Sequence, residues 1–94
     1  MSIQLVVVLE IKNGFLKEFL DIARKHGAHS VAVESGCQEF QVLVDQDHDN
    51  TVLLLETYQD QAALDSHWAS DHMTAYLDRA SEMIVSRQRY LCIA

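Results

Sequence analysis

The 94-residue chain contains no proline, three glycines and two cysteines. No proline-rich, low-complexity or repeated stretch marks a linker, so residues 1–94 are read as one domain. Cys37 and Cys92 stand alone, without a C-x-x-C pair. A disulfide framework or a zinc pair is therefore not expected, and both are read as free thiols in strands. The few glycines form no phosphate-cradling loop, and no nucleophile motif is present. Basic residues are also scarce, 7 against 14 acidic ones, for a formal charge of -7. That balance argues against nucleic acid and against an anionic membrane surface, both of which attract a basic face. Long apolar runs are missing too. Leu5-Val6-Val7-Val8-Leu9 is too short for a membrane span or a signal core, Glu10 closes it, and Met1 to Gln4 carry no basic side chain. A cytoplasmic protein is expected.

What is present is apolar residue: 49% of the chain. A chain this short is marginal as a monomer, because it buries a smaller share of its surface than a larger one. The apolar content therefore points to a partner surface as well as a core.

Ile3 to Ile11 reads as a strand, with Ile3, Leu5, Val7, Leu9 and Ile11 on one face and Val6 and Val8 on the other. After a turn at Lys12-Asn13-Gly14, with Asn13 as expected cap, Phe15, Leu16, Phe19, Leu20, Ile22 and Ala23 recur at helical spacing. The same wheel puts His26 on or near the apolar face and His29 at its border, while Gly27 is expected to bend or end the helix. Gly36 is expected to supply an unusual backbone angle in the turn Glu34-Ser35-Gly36-Cys37. Phe40, Val42 and Val44 alternate with Glu39, Gln41, Leu43 and Asp45 in a second strand. The connection from Asp45 to Asn50 is polar. It lacks the glycine and terminal glutamate of a calcium loop, so His48 is read as a solvated histidine.

Thr51 to Tyr58 forms the third strand, apolar on both faces. Asp60 caps a helix over Gln61 to Trp68, whose stripe Ala63, Leu64, His67, Trp68 turns His67 inward. Ser70 caps a second helix from Asp71 to about Ser81, buried through Met73, Tyr76, Leu77 and Ala80. The tail from Met83 to Ile93 is the last strand. Its alternation puts Val85, Arg87, Arg89, Leu91 and Ile93 on one side and Ile84, Ser86, Gln88, Tyr90 and Cys92 on the other. Edge protection, an acidic partner or a ligand would each account for Arg87 and Arg89. Glu56, in an apolar strand, is expected to pair with one of these arginines, or to carry protons if it does not.

The order β-α-β-β-α-β is that of a ferredoxin-like plait, an α+β fold with a four-stranded antiparallel sheet. Helices on one side normally leave the other side polar. Here it is apolar, which implies a homodimer through the open sheet face.

Glu34-x-Gly36-Cys37-x-x-Phe40-x-Val42, Asp45, Glu56-x-Tyr58-x-Asp60-x-x-Ala63 and His67-x-x-Ser70-x-His72-x-x-x-Tyr76 run in series. Together they resemble the antibiotic biosynthesis monooxygenase-like family of dimeric α+β barrels, over nearly the whole chain. The resemblance implies a pocket between each protomer's sheet and its helices. It leaves the reaction open, since such proteins include cofactor-independent monooxygenases of quinols and polycyclic phenols, haem-degrading enzymes and a processor of phosphorylated autoinducer-2. The spacing around Phe40, Asp45, Glu56 and Tyr58 is similar to that last type. The chain departs from the haem-degrading pattern: no asparagine precedes Asn13, and His67 stands where those members carry tryptophan.

Proton chemistry is what the remaining residues offer. His67 and His72 are five apart across a helix break, with no third ligand in register, so no metal is expected. A histidine titrates near neutrality and can deprotonate a phenol, a hydroquinone or a carbon beside a carbonyl. The electron-rich anion can then react with oxygen without a cofactor. His67 and His72 are the candidate catalytic residues; Tyr58, Trp68, Tyr76 and His26 are the candidate contacts to a small hydrophobic or aromatic ligand. The same set would serve an isomerase of a small carbonyl compound, or a dimeric domain that only binds its ligand.

Overall fold

A computed structural model describes residues 2–94. Its strands are β1 (Ile3–Ile11), β2 (Cys37–Val44), β3 (Thr51–Tyr58) and β4 (Ile84–Ile93). Its helices are α1 (Leu16–Val33), α2 (Gln61–Trp68) and α3 (Asp71–Ala80), and a short 3-10 turn, Ser81–Met83, leads into β4. The sheet order is β2-β3-β1-β4 and every neighbouring pair is antiparallel. This is the expected ferredoxin-like βαββαβ plait.

The register explains which face carries what. Val7 of β1 lies opposite Leu54 of β3 and Arg89 of β4, and Leu5 lies opposite Glu56 and Leu91. In antiparallel sheets directly opposed residues share a face. Leu5, Val7, Leu9, Ile11, Val52, Leu54, Glu56 and Tyr58 are all buried under the helices. The helix α1 meets them with Phe19, Ile22, Ala23, His26, Gly27 and Ser30, a stripe at helical spacing. The opposite face presents Val6, Val8, Leu53 and Leu55, half-buried, with Leu43 and Tyr90 exposed.

Four local expectations are corrected. The N-cap of α1 is Phe15, without a side-chain cap bond, and not Asn13. Gly27 neither bends nor ends α1, which runs on to Val33. It lets the helix approach the sheet: a Cβ there would stand 2.4 Å from Cδ1 of Phe40. Gly36 likewise serves close approach, 2.4 Å to the Cβ of Ala63, while the left-handed angles fall at Gly14 (φ 90) and Asn50 (φ 62). Finally, a register shift between Glu10 and Ile11 sets Ile84 opposite Ile11. Ile84 therefore joins the helix-covered face, because the shift breaks the strict alternation along β4.

Candidate functional site

Three helix ends converge on one carboxylate. Glu34 is the residue at which α1 stops, His67 lies in the last turn of α2, and His72 lies in the first turn of α3. Local chemistry fixes these ends. The Asp60 carboxylate accepts from the Ala63 N–H at 2.8 Å and starts α2. The Ser70 hydroxyl accepts from the Met73 N–H at 3.2 Å and starts α3, and it donates to the His67 carbonyl at 2.7 Å. One serine thus ties the two helices and holds the backbone of His67.

Glu34 Oε2 lies 2.8 Å from His67 Nδ1 and 2.5 Å from His72 Nε2. Burial works against the Glu34 carboxylate, but the hydrogen bonds from both histidines outweigh it and leave its pKa below the ordinary value. An ionised carboxylate only accepts, so each histidine donates an N–H to it. That fixes the His67 tautomer with the proton on Nδ1 and leaves Nε2 for another partner. The two rings differ in access: the side chain of His67 is 1% exposed and that of His72 is 22% exposed.

His26 sits beside them. Its ring stacks on Tyr76 with centroids 4.2 Å apart and meets the edge of Phe40 at 5.5 Å. Its Nε2 is buried without a hydrogen-bond partner among the described residues. Burial, and after it the neighbouring His67 and His72, push its pKa down to about 4. Tyr58 is buried too, its ring centroid 5.2 Å from that of His67.

Glu56 departs from expectation. It forms no ion pair with Arg87 or Arg89. Instead the Tyr58 hydroxyl donates to its Oε1 at 2.6 Å. The two residues are neighbours on one strand face, two apart. Burial raises the Glu56 pKa to about 7, against the pull of the Tyr58 bond.

These groups border a cavity of about 40 Å³ between sheet and helices. That is room for a few waters, so an aromatic ring enters only if side chains at the rim move. His26, Glu56, His67, Trp68 and Tyr76 reach its wall among Leu5, Val7 and Leu54, and Arg87 and Arg89 stand there too. The fold therefore brings His67, Trp68, Tyr76 and His26 of the sequence candidates to one cavity. Tyr58 stands behind Glu56 rather than on the wall. His72 faces an outer groove with His29, Ala75 and Arg79.

Sequence reasoning misses Glu34 as a site residue. Its only signal is its place in the Glu34-x-Gly36-Cys37 series, because nothing in the spacing says that a turn will meet two helices. It also supplies the third donor that sequence spacing does not reveal: donor atoms of Glu34, His67 and His72 lie within 4.8 Å of one another. Such a set could hold a divalent metal; as it stands, two direct hydrogen bonds join it.

The chain matches the family model described as antibiotic biosynthesis monooxygenase over residues 2–79, and it belongs to that family. No curated protein matches it in sequence. Among solved structures, a provisionally assigned antibiotic biosynthesis monooxygenase of Caulobacter crescentus superposes with a TM-score of 0.95 at 21% identity, covering 99% of this chain and 89% of that one. A provisionally assigned relative of the same description from Nitrosomonas europaea gives 0.93 at 18%, again over 99% and 89%. A conserved protein of Methanosarcina mazei gives 0.89 at 22%, over 98% and 91%. At these identities the likeness establishes the fold. No helix among the described residues is long and apolar enough to cross a membrane.

Proposed function

We propose that the protein is a cofactor-independent monooxygenase of a quinol or another phenolic compound, with His67 as the base. The observation that carries this reading is a buried histidine on the wall of a cavity between sheet and helices, oriented by a carboxylate through Nδ1. His67 Nε2 takes the proton of the phenolic or enolic hydroxyl. The ring then holds an anion in a poorly solvated cavity, and that anion passes an electron to oxygen. For an anthrone-like substrate the reacting methylene becomes a carbonyl. One atom of dioxygen enters that carbonyl, and the other leaves as water with the two methylene hydrogens. The substrate supplies all the electrons, so no external reductant is needed. Histidine general bases contribute about 10²–10⁴-fold.

His72 holds the other side of Glu34. With an N–H donor from each histidine, that carboxylate stays ionised and stabilises the imidazolium formed when His67 takes the proton, while the His72 ring reaches the outer groove. His26, Trp68 and Tyr76 act as walls for the substrate ring, with Tyr58 supporting Glu56 behind them.

Glu56 favours a second reading. A carboxyl group that stays protonated to about pH 7 on the wall that also holds His67 supplies an acid beside a base, which is what isomerisation of a small carbonyl compound needs. Oxygen uptake with a panel of hydroquinones and anthrones separates the two. Uptake lost in His67→Ala supports the oxygenase. Uptake unchanged by that substitution removes His67 as base, and no uptake with any member leaves the isomerase or a binding domain.

The protein is proposed to work as a homodimer through its open sheet face. Val6, Val8, Leu43, Leu53, Leu55 and Tyr90 form a continuous apolar surface there. Light scattering at micromolar concentration tests it, and a clean monomer overturns it.

A further inference from the structure

Two of the seven basic residues, Arg87 and Arg89, stand on the helix-covered face of β4 at the rim of the cavity. Their opposite neighbours on β1 are Leu9 and Val7, both buried and apolar. Among the described residues neither arginine forms an ion pair, although the chain holds 14 carboxylate side chains. Glu56, the acid that shares the cavity wall, binds the Tyr58 hydroxyl instead, and Arg89 acts on it only as the weakest of the influences on its pKa. Arg89 is held in place by an uncharged group: its Cζ lies 4.8 Å from the centroid of the Trp68 ring.

Edge protection does not require this arrangement. A charge guards an edge strand from either face, and the outward face of β4 carries Ser86, Gln88, Tyr90 and Cys92, with no cation among them. Both charges are placed where they overlook the cavity that holds His67 and Glu56. In a chain with a net charge of -7, two guanidinium groups without acidic partners at one rim form a local positive mouth. A guanidinium offers a planar fork of N–H donors that matches an oxyanion.

We propose that Arg87 and Arg89 form an oxyanion subsite, so that the natural substrate carries an acidic substituent, such as a carboxylate, beside the ring or enol that His67 deprotonates. This rests on the cavity being the substrate site, as proposed above. The acidic group stays at the exposed rim on the two arginines, and the reactive hydroxyl reaches inward to His67. A second consequence follows from charge. The substituent offsets the field of the arginines on binding, so the subsite selects and orients the substrate without placing a charge in the apolar interior.

The test compares binding of hydroquinone and its carboxylated form, 2,5-dihydroxybenzoate, under anaerobic conditions so that no turnover intervenes. The wild-type protein is expected to bind the acid about tenfold or more tightly than the parent, the size of one good charge-assisted bond. That preference should vanish in Arg87→Gln/Arg89→Gln and shrink with added salt. It should persist in Lys17→Gln/Arg24→Gln, which removes the same net charge from α1. Equal affinities in the wild type, no binding of the acid, or a preference kept by the Arg87/Arg89 double variant each overturn the subsite. His67→Ala keeps the two ideas apart: it should retain the preference while losing oxygen uptake. Uptake that survives in His67→Ala would refute the base and leave the subsite standing.

Discussion

Each face of the sheet departs from the usual arrangement in its own way. In a sheet with helices on one side, the covered face is ordinarily apolar and the open face polar. Here the covered face includes Glu56, Arg87 and Arg89, and the open face is built from Val6, Val8, Leu53 and Leu55. The covered face has groups that form no ion pair among the described residues: a carboxyl whose pKa burial raises to about 7, and two arginines. The open face has no such groups at its centre and gains by being covered. One face suits chemistry on a small molecule, the other contact with an apolar partner surface.

The largest effect should come from the covered side. His67→Ala is expected to lower oxygen uptake by about 10²–10³-fold while leaving the oligomeric state unchanged, as measured by an oxygen electrode and by light scattering. An equal loss of association would show that the two faces are not separable. Leu53→Asp attacks the open face. A carboxylate facing Val8 and Leu43 should weaken self-association about 100-fold, read from sedimentation across a dilution series. Circular dichroism should remain that of a folded α+β protein.

Gly27→Ala probes how the covered face is closed. The added methyl meets the Phe40 ring at 2.4 Å, and overpacking of this kind costs about 1–3 kcal/mol. The better helix propensity of alanine returns up to about 1 kcal/mol. A net loss of about 1–2 kcal/mol in urea unfolding is expected. A gain in stability would show that α1 and β2 can separate freely.

Glu56→Gln should have no effect in acid and one comparable with Gly27→Ala only at higher pH. The Glu56 pKa rises from 4.5 to about 7 on folding, so the folded state holds a proton that the unfolded chain releases. Its contribution is complete below about pH 4.5 and is lost as pH rises through about 7. Glutamine cannot ionise, so the variant should match the wild type at about pH 4 and exceed it by about 1–2 kcal/mol at about pH 8. His26 acts with the opposite sign. Its pKa falls from 6.5 to about 4, so the fold favours its neutral form and that contribution is lost as pH drops through this window. The difference between variant and wild type isolates Glu56 from it. A flat difference across pH would show that Glu56 is ionised in the folded protein.

Much of the fold is legible in the chain because it rests on period and caps. Alternation places β1, β2 and β3, the stripe from Phe19 to Ser30 places α1, and Asp60 and Ser70 mark the starts of α2 and α3. The inward turn of His67 follows from the same arithmetic. Departures arise where one element meets another. Gly27 and Gly36 are glycine because a side chain on a different element occupies the space. Ile84 changes face because β4 slips against β1. The role of Glu34 depends on a turn, a helix end and a helix start arriving at one point.

The sequence by itself determined the order of elements, the apolar character of both sheet faces and the family, since these depend on local periodicity and on motifs read along the chain. Tertiary structure decided the partners of the polar groups. Only folding assigned Glu34 to both His67 and His72, gave Glu56 to Tyr58 and left Arg87 and Arg89 without an acid among the described residues. The physical reason is that a buried charge is governed by what lies within a few ångströms of it, and those neighbours come from residues as distant in the chain as Glu34 and His72.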